Sequence, residues 1–88
     1  MEPKTMSLFD ARRLARLRHT DLCDVYNRER EKGNRQWHPG LISQFENDNG
    51  HVYSFESTWL DNFFTEMLAL HSLIQDTPVH ISFNKYKI

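Results

Sequence analysis

Residues 41–56, LISQFENDNGHVYSFE, contain two short runs rich in aromatic and aliphatic side chains on either side of the polar tetrapeptide NDNG. Asn, Asp and Gly favour tight turns, so this segment is typical of a β-hairpin. A three-residue loop at 48–50 would pair Phe45 with Tyr53 and gather the apolar side chains on one face of the sheet. The pattern therefore predicts two antiparallel strands, at residues 41–46 and 51–56.

The region before the hairpin has the pattern of a helix. Ser7 and Asp10 have capping-box spacing, which predicts a helix start, and apolar residues then recur at intervals of three and four up to Gly33. We expect one long helix, although Thr20 could cap a second helix and place a break near residues 19–21. The tetrapeptide WHPG at 37–40 indicates a type II turn that leads into the hairpin.

The region after the hairpin predicts a helix and then a strand. Thr58 and Asp61 have capping-box spacing, and the helix that they open should run to about Gln75, before the sequence Asp76–Pro78. Residues 79–83 alternate apolar and polar side chains with the period of a strand.

Together these elements predict a small α+β fold with the order α-β-β-α-β. A three-stranded antiparallel sheet, with strand order 2-1-3, would carry both helices on one face. A chain of 88 residues forms one domain. We place that domain at residues 7–88, after a flexible lead-in at residues 1–6.

The charges divide the chain into regions of opposite sign. Residues 36–84 contain no Lys or Arg and six carboxylates, whereas residues 1–35 contain nine basic and six acidic side chains. Such a division of charge along the chain is informative about binding partners and says little about the fold. It predicts that carboxylates on the outer sheet face and on the second helix bind a partner's basic surface, with the arginines of the first helix as possible intramolecular counterions. The predicted acidic contact residues are Glu46, Asp48, Glu56, Asp61 and Glu66.

The second predicted helix is apolar over more than half of its circumference, which exceeds the stripe that one packing partner needs. Part of this surface could be exposed as an apolar anchor for a protein partner, and we place that anchor at Trp59 and Phe63. The same surface could form a homodimer seam.

Arg12, Arg13 and Arg16 would lie together on one side of the first helix. Arginines at this density can bind phosphates, which makes a small nucleic-acid-binding regulator an alternative. The ion-paired pattern of the following residues and a net charge of −1 favour an ordinary solvated helix instead.

The sequence predicts no enzyme, no cofactor and no metal site. Only three glycines are present, and none lies in a phosphate-binding motif. His19 and Cys23 have a metal-ligand spacing, but two ligands do not complete a site. A single cysteine fits a reducing compartment, and the longest apolar stretch is too short to span a membrane, so we expect a cytoplasmic protein.

These observations favour a non-enzymatic binding protein that acts by covering the surface of a partner. Its size and acidic stretch suggest a phage or mobile-element accessory protein that inhibits a host protein or a nucleic-acid-processing complex. The partner would present a basic surface.

Overall fold

The computed structural model describes residues 3–47, 51–71 and 77–83. Within these ranges the chain forms four helices and two strands. In chain order they are β1 (Lys4–Ser7), α1 (Leu8–Ala15), α2 (His19–Glu29), α3 (Pro39–Glu46), α4 (Ser54–Leu70) and β2 (Val79–Ser82).

The two strands form one parallel sheet. Lys4 is paired with Val79, and the register continues to Ser7 and Ser82. The predicted three-stranded antiparallel sheet with order 2-1-3 is therefore wrong, as is the element order α-β-β-α-β. A strand at residues 79–82 is confirmed, but its partner is the segment 4–7, most of which the sequence placed in a flexible lead-in.

The predicted hairpin is wrong, because residues 41–46 are helical and residues 51–56 form an irregular segment followed by the first turn of a helix. Residues 41–46 belong to α3, which begins at Pro39 with the His38 Nδ1 accepting a hydrogen bond from the Leu41 N–H at 3.2 Å. Proline is well suited to this first helical position, so the WHPG sequence starts a helix here instead of a turn. Residues 54–56 form the first turn of α4, and the predicted loop at 48–50 lies outside the described residues.

The start of the first helix is as predicted, but its length is not. The Asp10 N–H donates to the Ser7 Oγ at 3.1 Å, which confirms the N-cap. The helix ends after eight residues, because Arg16 adopts a left-handed conformation with φ 58°. The single long helix is therefore wrong.

A second helix begins shortly after this break. The Asp21 carboxylate accepts a hydrogen bond from the Arg18 N–H at 3.0 Å, so α2 is capped at Arg18 and not at Thr20. Gly33 has a positive φ of 102°, but it lies in the turn after α2 and does not terminate that helix.

Helix α4 begins five residues earlier than predicted, at Ser54 instead of after Thr58. It packs against β2 and α1, while α2 packs against α3. Its predicted end near Gln75 lies outside the described residues. The core between these elements is built around fully buried large side chains. They include Leu8, Leu22, Tyr26, Ile42, Phe45, Leu60, Phe64, Leu68 and Ile81.

Candidate protein-binding surface

The third residue of α4, Glu56, is a carboxylate with no solvent exposure. Its oxygens accept a two-pronged pair of hydrogen bonds from Arg35, from Nε to Oε2 at 2.9 Å and from Nη2 to Oε1 at 2.7 Å. The Trp37 indole N–H donates to Oε2 at 2.8 Å, and the Tyr53 N–H donates to Oε1 at 3.0 Å. We call these four residues the Glu56 network.

The Glu56 carboxylate remains ionised within this network. Burial by itself raises the pKa of Glu56, but the hydrogen bonds from Arg35, Trp37 and the Tyr53 N–H together outweigh burial and hold the pKa below its ordinary value. A buried charge is tolerated only when it is paired and hydrogen-bonded. Arg35 provides the opposite charge for Glu56, and Arg35, Trp37 and the Tyr53 N–H provide the hydrogen bonds.

Arg35 connects the network to the segment that precedes α4. Its Nη2 also donates to the His51 carbonyl at 2.7 Å, and its guanidinium carbon lies 4.8 Å from the centre of the Tyr53 ring. Val52, between these two residues, is buried. The backbone of residues 51–53 is therefore held by the buried side chain of Val52 and by the hydrogen bond from the ion-paired Arg35.

This segment and the first turn of α4 present three aromatic side chains at the surface. Tyr53 and Phe55 are each 43% exposed, and their rings are stacked nearly parallel with centres 5.6 Å apart. The His51 ring meets Tyr53 edge to face at 4.6 Å. We call His51, Tyr53 and Phe55 the aromatic cluster. Large aromatic side chains are enriched at protein interfaces, and here they are exposed on a rigid support.

A layer of buried rings lies behind the Glu56 network. Tyr26 stacks on Trp37 with ring centres 3.7 Å apart, and Phe45 packs against the edge of Trp37. The Tyr26 hydroxyl is buried and has no hydrogen-bond partner among the residues that the structure describes. Burial raises the pKa of Tyr26, and the nearby charge of Glu56 raises it further.

The predicted acidic contact residues do not form one face. Glu56 is buried, so it belongs to no surface. Glu46 accepts a hydrogen bond from the Arg12 Nε at 2.6 Å and lies 3.3 Å from the His19 Nε2, and its side chain is only 9% exposed. The expected pairing of first-helix arginines with carboxylates of the acidic stretch is found at this pair.

The remaining acidic residues are scattered. Asp61 accepts a hydrogen bond from the Ile81 N–H at 2.8 Å and contacts the His80 Nδ1 at 3.0 Å, so it binds the edge of β2. Glu66 is exposed on α4, and Asp48 lies outside the described residues. Three of the five predicted carboxylates are thus engaged within the fold.

Trp59 and Phe63, the predicted apolar anchor, are partly buried and pack against the core. Their rings stack on each other at 4.9 Å, and the Trp59 indole N–H donates to Glu29 at 3.1 Å. Trp59 also meets Tyr26 edge to face. Trp59 therefore contacts α2, and Phe63 packs on Trp59.

The three arginines of the nucleic-acid alternative are not equivalent. Arg12 is paired with Glu46, whereas Arg13 and Arg16 are exposed. The Arg13 guanidinium lies over the Phe9 ring at 5.4 Å. Only two of the three side chains are therefore available to a phosphate backbone.

His19 and Cys23, which have metal-ligand spacing, are used differently. His19 contacts Glu46, and the Cys23 thiol is buried, which raises its pKa to about 11. Among the described residues no group of three His, Cys, Asp or Glu side chains is arranged to hold a metal ion. No helix within the described ranges has the length and apolar character needed to cross a membrane.

Comparison with protein-family models, with curated proteins and with solved structures finds no match to this chain.

Proposed function

We propose that this protein is a non-enzymatic binding domain that covers part of a protein partner's surface with the aromatic cluster. The observation that carries the proposal is the exposure of two stacked rings, Tyr53 and Phe55, on a backbone held by the Glu56 network. Interface hot spots are enriched in Tyr and Arg, and both residue types occur here side by side.

The rigid support of the aromatic cluster favours binding for an entropic reason. A flexible surface must be ordered when it binds, and each immobilised side chain reduces the affinity. Tyr53 and Phe55 begin in a stacked arrangement, and Arg35 packs on Tyr53. Little ordering is left to occur in the complex.

This proposal moves the contact surface away from the carboxylates. Charge reversal at Glu46, Glu56 or Asp61 would disrupt bonds within the fold, so it cannot test a binding surface. The narrower hypothesis, a phage or mobile-element inhibitor of host machinery, rests on chain length and charge pattern and stays a prediction.

Affinity capture with two variants tests the proposal. We expect the wild-type chain to retain a specific protein partner at low and at high salt, because stacking and apolar contacts are weakly screened. The double variant Tyr53→Ala/Phe55→Ala should lose that partner. Phe9→Ala is the matched control, since Phe9 is an aromatic residue of nearly equal exposure, 44%, on another helix. Equal capture by the double variant and the wild type would reject the aromatic cluster as the contact surface.

A further inference from the structure

The two outer edges of the parallel sheet differ in whether side chains of the described residues bond their outward backbone groups. On the β2 side, the Val79 N–H donates to the Thr65 hydroxyl at 2.7 Å and the Ile81 N–H donates to the Asp61 carboxylate at 2.8 Å. Two side chains of α4 thus satisfy the outward N–H groups of β2. This edge is closed to any further strand.

Among the described residues, no side chain bonds the outward backbone groups of β1 in this way. The Lys4 N–H donates to the Pro78 carbonyl at 2.8 Å, and in the parallel register Lys4 and Met6 direct their backbone groups toward β2. The N–H and C=O of Thr5, between them, point to the opposite side. In the part of the chain that the structure describes, no strand lies on that side of β1. Thr5 is exposed.

A cleft of about 500 Å³ lies beside this open edge, between β1 and α1. It is lined by Lys4, Thr5, Met6, Asp10, Arg13 and Leu14. A second cleft of about 580 Å³ shares Arg13 and Leu14 with the first and continues along α1 to Arg16 and His71. The two clefts are adjacent, because they share Arg13 and Leu14, and we call them together the trough.

The trough is lined by more cationic than acidic side chains and by the apolar Leu14. It brings together three cationic side chains, Lys4, Arg13 and Arg16, and one carboxylate, Asp10. Leu14, which lines both clefts, is 45% exposed. The net charge of the trough is therefore opposite in sign to that of residues 36–84, which contain carboxylates and no Lys or Arg.

We propose that the open edge of β1 and the adjoining trough bind an extended, acidic segment of a partner protein by strand addition. The segment's backbone would bond the N–H and C=O of Thr5, its carboxylates would face Lys4 and Arg13, and an apolar side chain would contact Leu14. In this mode the backbone bonds provide affinity and the side chains provide selectivity. This site is separate from the aromatic cluster and does not depend on it.

Charge selects this occupant over a second copy of the chain. Two copies that paired their β1 strands would bring together two troughs in which cationic side chains outnumber carboxylates. Like charges that face each other across paired strands are destabilising. An acidic segment meets the same groups with opposite charge.

The test uses a fluorescent peptide that alternates Glu and Val, and a matched peptide with Lys in place of Glu. Fluorescence anisotropy on the full chain at low salt should detect binding of the Glu peptide only, and added salt should weaken that binding. Methylation of the central amide nitrogens of the Glu peptide should abolish binding to the wild-type chain, because strand addition needs those donors. Equal binding of the Lys peptide, or of the methylated peptide, would overturn the proposal.

Two pairs of variants locate the site. Thr5→Pro removes the outward N–H but leaves the bonds of Lys4 and Met6 to β2, and Thr5→Ala is its control because alanine keeps that N–H. We expect Thr5→Pro to weaken Glu-peptide binding about tenfold relative to Thr5→Ala, which is the value of one hydrogen bond. Arg13→Glu should also weaken binding, whereas Arg28→Glu, at an exposed position of α2, should not.

Folding and self-association are measured on the same samples. Circular dichroism must show an unchanged helical content for each variant, and the methylated peptide provides the decisive result if Thr5→Pro unfolds the chain. Equal peptide binding by folded Thr5→Pro and Thr5→Ala would contradict strand addition. A wild-type dimer in sedimentation analysis that Thr5→Pro converts to a monomer would show that a second copy, and not an acidic segment, occupies the edge.

Discussion

Glu56 is the residue on which most of the described hydrogen bonding around the aromatic cluster depends. Replacement by Gln keeps the shape of the side chain but removes the charge that Arg35 faces. We expect Glu56→Gln to lower the free energy of unfolding by about 2 to 3 kcal/mol, because Arg35 and the indole N–H of Trp37 lose a charged acceptor. Urea denaturation measures this, with the exposed Glu66→Gln as control and an expected change within about 0.5 kcal/mol. Equal stability of both variants would contradict a structural role for the Glu56 charge.

The lowered pKa of Glu56 also predicts how stability depends on pH. A carboxyl whose pKa is lower in the folded state than its ordinary value of 4.5 stabilises the fold above that value. This contribution is lost as the pH falls from about 4.5 through the pKa of the folded state. Wild-type stability should therefore fall more steeply than that of Glu56→Gln below pH 4.5. Parallel curves for the two proteins would contradict the assignment.

Removal of the Tyr26 hydroxyl should stabilise the fold, whereas removal of the Glu56 charge should destabilise it. The hydroxyl is buried without a hydrogen-bond partner among the described residues, and an unsatisfied buried donor is costly. Tyr26→Phe should raise the free energy of unfolding by about 1 kcal/mol, because the ring and its stacking on Trp37 are kept. A decrease of similar size in thermal or urea unfolding would mean that the hydroxyl has a partner.

At the scale of elements, the end of α1 is set by the backbone of Arg16. A left-handed conformation is unfavourable for a residue with a side chain and natural for glycine. Arg16→Gly should therefore stabilise the fold by about 0.5 kcal/mol, even though glycine gains freedom in the unfolded chain. Arg13→Gly, within the helix, should destabilise it by a similar or larger amount. If both variants lose stability equally, the helix does not end at Arg16.

The elements that the sequence predicted correctly are those specified by local signals. Ser7 and Asp10 have the spacing of a capping box, and residues 79–82 alternate apolar and polar side chains with the period of a strand. The break at Arg16 has no such signal, because arginine is a good helix former and the apolar spacing continues past it. The pairing of β1 with β2 joins segments at opposite ends of the chain, which local patterns do not report.

The burial of Ile42 shows why the hairpin prediction is wrong. In a strand, Ile42 would point away from Leu41 and Phe45, yet all three are buried. Positions 41, 42 and 45 fall on one side of a helix, which is the helical interpretation of the same residues. Pro39 fits either a turn or the first position of a helix, so it did not distinguish the two.

At the scale of the whole molecule, three of the four described carboxylates of residues 36–84 are bonded within the fold. Glu46 pairs with Arg12, Glu56 with Arg35, and Asp61 with the edge of β2. Charge counts along the sequence located these carboxylates but not their partners, since all three contacts join residues distant in the chain. The spacing of Tyr53 and Glu56 was the available signal for the start of α4. It was missed because Tyr53 is not a usual N-cap residue, whereas Thr58 is.

The exposed position of the aromatic cluster is likewise not predicted by the sequence. The hairpin interpretation places Tyr53 and Phe55 on the apolar face of a sheet, which would bury them. In the structure Tyr53 precedes the first residue of α4, Phe55 is in its first turn, and both side chains are exposed.

The affinity of the captured partner for the wild-type chain and for Tyr53→Ala/Phe55→Ala tests the central claim most directly. Titration calorimetry should show binding at least about thirtyfold weaker for the double variant, as expected for hot-spot residues, and nearly unchanged binding for Phe9→Ala. Unfolding curves confirm that each protein is folded. Wild-type affinity in a folded double variant would contradict the claim that the aromatic cluster binds the partner.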